Sequence, residues 1–222
     1  MKQASFSLQV SAPELAREMV LTVVLLLLPG GVALSQWGRS PLWGGEEARL
    51  RLSVAAGAYR ISHNAFEDYY RSRWGLVPGF LLRYRVKGIG FLAGVRPFRQ
   101  RLASRLEAQY PALAGSSAWR QTVWNLGVQL GGGGMRRVRS ATYFGLSYHV
   151  VREKAGPFLM DKSRSTTLGF FLAAETEWLI LPPLGLGWMV ELSSAAPSRS
   201  AAFEANSIGG LYLAALLHLH LF

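Results

Sequence analysis

Along most of this chain apolar and polar residues alternate one by one, segment after segment. Between Arg49 and Ala58, the set Leu50, Leu52, Val54, Ala56 and Ala58 stands opposite Arg49, Arg51 and Ser53. Phe80, Leu82, Tyr84 and Val86 oppose Arg83, Arg85 and Lys87, and Ile89, Phe91, Ala93 and Val95 resume after Gly88. The pattern recurs in Trp124 to Leu130, Val138 to Val150, Leu168 to Trp178 and Leu184 to Leu192, and it ends in GGLYLAALLHLHLF. A period of two sends successive side chains to opposite faces of a strand. It predicts eight strands and no amphipathic helix.

Within the first seven segments the apolar set contains no Asp, Glu, Lys or Arg. Alternation alone leaves open which face points outward. A secreted lipocalin-like barrel or a two-sheet sandwich would bury the apolar face, whereas a membrane barrel turns it to lipid. The links between segments favour the membrane. Those after the second, fourth and sixth strands are short: Lys87-Gly88, the Gly131–Gly134 run with Met135 to Arg137, and Leu179 to Pro183. Those after the first, third, fifth and seventh are longer: Arg60–Gly79, Pro97–Arg120, Arg152–Ser165 and Ser193–Asn206. Short periplasmic turns alternating with long external loops characterise transmembrane barrels. The expected fold is an all-β, eight-stranded antiparallel up-and-down transmembrane β-barrel.

The N-terminus agrees. Lys2 and Arg17 precede an apolar run from Val20 to Leu28, broken by Pro29, Gly30 and Gly31 and followed by Ala33-Leu34-Ser35. This is the layout of a cleavable signal peptide, and the run is shorter than the roughly 20 residues of a spanning helix. The expected division is a signal peptide over residues 1–35 and an outer-membrane barrel over 36–222. The chain has no cysteine, which removes disulfides, thiol nucleophiles and cysteine metal sites. A net charge of +11 invites a nucleic-acid reading. For an exported chain the expected anions are instead lipopolysaccharide phosphates and surface glycans, with outer-membrane lipid and lipopolysaccharide as partners and no nucleic acid.

The stretch GFLLRYR (Gly79 to Arg85) followed by GIGFLAGVRPF is similar to the second and third strands of the small outer-membrane beta-barrel domain family of Gram-negative bacteria. The resemblance covers about Glu46 to Phe222. It implies a barrel in the outer membrane of a Gram-negative bacterium, with the terminal aromatic Phe222 as the signal read by the barrel-assembly machinery. It transfers fold and location rather than an activity. In that family the alternate residues before the terminal aromatic face lipid, a set that here includes His218 and His220. Hydrophobicity instead puts Leu217, Leu219 and Leu221 outside and the histidines inside.

Inward charges are the first candidates for function. Arg49, Arg51, Arg83, Arg85, Arg139, Glu175 and Glu177 should gather in the periplasmic half of the lumen. Glu175 and Glu177, two apart on a strand, share a face. An eight-stranded barrel holds little beyond its own side chains, so an Arg–Glu plug is expected, with a narrow anion-preferring path as the alternative. Replacing lumen-facing Asn125 with Asp should cost much less than placing Arg at Leu126 or Phe170 on the lipid face. In the first long loop His63 and Asp68 form a possible site, though Ser62 and His63 point opposite ways on extended backbone. Arg99, Arg101 and Arg105 read as a solvated basic loop within reach of lipopolysaccharide phosphate. Four scattered histidines suggest no metal, and no cofactor is expected. The expected function is a monomeric barrel with a structural, adhesive or ligand-contacting role through its external loops. The alternatives are a narrow channel for small or apolar solutes and a lipid A acyltransferase or deacylase.

Overall fold

Eight antiparallel strands close on themselves in a computed structural model that describes residues 50–86, 89–109, 111, 117–135, 137–153, 163–195 and 208–221. In chain order they are β1 (Leu50–Ile61), β2 (Trp74–Val86), β3 (Ile89–Arg101), β4 (Ser117–Met135), β5 (Val138–Glu153), β6 (Ser163–Leu181), β7 (Leu184–Ala195) and β8 (Gly210–Leu221). Each strand pairs with its neighbours in sequence, and β1 pairs with β8, from Leu50↔Leu221 to Ile61↔Gly210. The proposed signal peptide, Arg49 and Phe222 lie outside the described residues. No described helix is long and apolar enough to cross a membrane.

The alternation read in the sequence sorts the two faces of the sheet. Leu126 is 68% exposed and Phe170 is 58% exposed, while their neighbours Asn125 and Phe171 are buried. On β8 Leu217 and Leu219 face out and His218 is buried. An outer surface this apolar cannot face water as a stable monomer, because exposed apolar patches are normally small. It suits a hydrocarbon surround, where closure also spares every strand an unpaired edge. Trp74 and Tyr84, exposed at the two ends of β2, lie roughly 34 Å apart along a strand and about 25 Å apart after the usual tilt, the height of a lipid-facing band.

The barrel has a turn end and a loop end. At the turn end, two-residue connections join β2 to β3, β4 to β5 and β6 to β7, and Leu50 and Leu221 sit there too. The loop end carries the longer connections, and among the described residues these include two short helices, α1 (Phe66–Tyr69) and α2 (Ser104–Gln109). Three expectations are corrected here. The Gly131–Gly134 run is not a turn. It is strand, paired with Thr142 to Arg139 across a register shift after Gln129. Glycines suggested a turn by composition, yet the backbone ladder continues through them. Strand β6 likewise runs through Leu179 to Leu181, leaving Pro182-Pro183 as the turn. Arg99 and Arg101 belong to β3 rather than to a loop.

Candidate functional site

The lumen is filled in three successive zones. At the loop end, the segment after β1 folds back into the mouth and delivers Phe66 and Tyr70. Their rings lie 4.5 Å apart, and Trp119 of β4 meets them at 5.2 and 5.4 Å. Phe98 of β3 stacks edge-on against Tyr59 of β1 at 5.2 Å, and all five rings are buried. Tyr70 donates its hydroxyl to Glu153. Burial, and then the adjacent Glu153 carboxylate, push the Tyr70 phenol above its ordinary range, so it stays a donor at any ordinary pH.

In the middle sits one ion pair. Arg96 of β3 and Glu191 of β7 are 3% and 1% exposed and form a bidentate pair, Nη1 donating to Oε2 at 2.6 Å. The Arg96 guanidinium lies between the rings of Tyr59 (5.4 Å) and Tyr212 (5.0 Å). Asn125 donates to the same carboxylate at 2.9 Å. Asp at Asn125 would set a second carboxylate against Glu191, so the change carries a cost of its own.

Toward the turn end, the two inward arginines Arg51 and Arg83 are direct cross-strand partners. Like charges in that position repel, and Glu175 lies between them. It accepts from Arg51 at 2.7 Å and from Arg83 through its other oxygen. Glu177 accepts from Arg51 and pairs with His220. Ser53 bonds both Arg83 (2.6 Å) and His218 Nδ1 (2.7 Å). On the intervening strand β7, Gly185 and Gly187 make the room. A Cβ at Gly187 would sit 2.7 Å from His218 Nε2, and one at Gly185 would collide with Glu177. Below this network a cavity of about 280 Å³ opens, lined by Arg51, Arg83, Arg85, Arg139, Glu175 and His220 among others.

The structure therefore brings Arg51, Arg83, Arg85, Arg139, Glu175 and Glu177 to one end of the lumen. The histidines are less scattered than the sequence suggested. Glu175, Glu177 and His218 place ligand atoms within 4.8 Å of one another. Both carboxylates are already engaged by guanidinium groups, an arrangement that suits ion pairing better than a metal. Sequence reading missed Arg96–Glu191, whose members are far apart in the chain and are each the single charge on the inward face of their strand. It also missed two buried serine–histidine contacts, Ser53–His218 and Ser147–His149 (3.0 Å). His149 and His218 are fully enclosed, so no external substrate reaches either. In the first loop, the His63 carbonyl accepts from the Phe66 amide at 3.2 Å. Asp68 is exposed, 3.9 Å from Arg105.

No family model and no curated protein matches the chain. Solved structures do resemble it. Neisserial surface protein A is 14% identical over 77% of this chain and 96% of its own, with a TM-score of 0.54. The N-terminal β-barrel domain of Pseudomonas aeruginosa OprF is 8% identical over 76% and 96%, at a TM-score of 0.46. Ail, the attachment invasion locus protein of Yersinia pestis, is 9% identical over 78% and 98%, at 0.44. At these identities the first likeness supports the fold and nothing finer.

Proposed function

We propose that this closed eight-stranded barrel is an integral outer-membrane protein of a Gram-negative bacterium, with its lumen shut and its work done at the loop end. The observation that carries the closed lumen is the Arg96–Glu191 pair, clamped between Tyr59 and Tyr212 and roofed by Phe66, Tyr70 and Trp119. A solute would have to break a buried bidentate pair and then displace an aromatic layer. Exposed apolar residues on every strand support the membrane setting, and the short turns support a periplasmic turn end with the loops outside. The loop end then presents a surface for contact or adhesion. Enclosure of both serine–histidine pairs supports a non-enzymatic role.

Planar-bilayer recording tests the closed lumen. The expected result is no resolvable single-channel steps from the unmodified chain. Sustained steps would replace the plug with a channel.

A further inference from the structure

Four arginines stand side by side on the outer face at the loop end. Arg99 of β3 pairs in register with Arg120 of β4, Arg120 with Arg152 of β5, and Arg152 with Arg164 of β6. All four are exposed, on the lipid-side parity of their strands, beyond Val95, Trp124, Tyr148 and Leu168. Like charges in direct cross-strand register repel. Inside the lumen the Arg51–Arg83 pair has Glu175 between its members. Outside, no hydrogen bond or ion pair of these four guanidinium groups occurs among the described residues. The carboxylates of the same strands, Glu153, Glu175 and Glu177, are all buried in the lumen. Among the described residues nothing neutralises the repulsion.

We propose that this rank binds the phosphates of a multiply phosphorylated glycolipid in the surrounding leaflet. The proposal rests on the reading above, in which the barrel spans the membrane with its loops outward. Position selects a lipid: each arginine lies roughly 13 Å along its strand from the apolar residue named with it, about 10 Å of height after tilt, which is headgroup depth. Guanidinium groups match phosphate by paired, charge-assisted hydrogen bonds. Length and charge select more than one phosphate. Three strand spacings make the rank roughly 14 Å long, and strand tilt makes it climb by about 9 Å. One phosphodiester carries a single charge at a single depth and cannot serve four guanidinium groups so arranged.

The test uses the full chain folded in neutral detergent micelles, with lipid retention measured by native mass spectrometry and affinity by titration. The probes are a glycolipid with two phosphate monoesters, its dephosphorylated form and phosphatidylglycerol. The bisphosphorylated lipid should bind at least about tenfold tighter than either of the others, and added salt should weaken it. Arg120→Gln with Arg152→Gln should remove that preference, while Arg120→Lys with Arg152→Lys should keep part of it. Arg71→Gln, which loses only an exposed pair with Glu107, should leave it unchanged. Equal affinity for all three lipids, or a preference surviving the double glutamine change, overturns the proposal. Failure of the barrel to enter lipid vesicles would instead count against the membrane reading, so the two failures are distinct.

Discussion

The two ends of the lumen are filled by opposite means. The loop end is dry and aromatic, with Phe66, Tyr70, Phe98 and Trp119 all buried against one another. The turn end is ionic and opens into a cavity, with Arg51 at 14% side-chain exposure. A charge beside a cavity can recover hydration when its partner is removed, whereas one sealed between rings cannot. The same residue chemistry, an arginine on a glutamate, should therefore matter far more at Arg96 than at Arg51.

The largest effect tests that contrast directly. Glu191→Ala strands a sealed Arg96 and should cost about 3–5 kcal/mol in urea unfolding from lipid vesicles. Next comes the boundary between inside and outside on β4. Leu126→Arg puts a charge on the lipid face and should cost about 2–4 kcal/mol if the site lies near the bilayer midplane. Full tolerance of Leu126→Arg would mean that this face is wet. One residue away, Asn125→Asp removes a donor from Glu191 and adds a like charge, for about 1–3 kcal/mol. Smallest is Glu177→Gln toward the turn end, at about 1 kcal/mol, because Gln still accepts from Arg51, whose own guanidinium borders the cavity and can be rehydrated there. A Glu177→Gln loss equal to that of Glu191→Ala would erase the distinction between the pair sealed under the aromatic layer and the network at the turn end.

What the sequence made legible follows from the physics of each signal. Lipid-facing positions such as Leu126, Phe144 and Phe170 obey a local period, and that period survives folding unchanged. Arg51, Arg83, Glu175 and Glu177 were visible as inward charges because strand parity points them there. Their partners were not, since which arginine meets which glutamate depends on barrel register across 92 to 126 residues. Arg96 and Glu191 were overlooked for a related reason: each is the one charge on the inward face of its strand. The aromatic cap was hidden because Phe66 and Tyr70 sit in a loop, where no periodicity announces a side chain folding inward. Gly131–Gly134 misled because composition speaks of turns, while its pairing is fixed by the partner strand.

The β1–β8 seam has a consequence for the rate of folding. Seven of the eight strand pairings join neighbours in sequence, and β1–β8 joins the first strand to the last. Local hairpins close at little entropic cost, but this last pairing must bring Leu50 to Leu221. The seam is also tightly built, for a Cβ at Gly57 would fall 2.6 Å from that of Ala214. Closure should therefore be the slow event, in which two distant edges meet in one register, and bulk at Gly57 should delay it more than bulk on any hairpin.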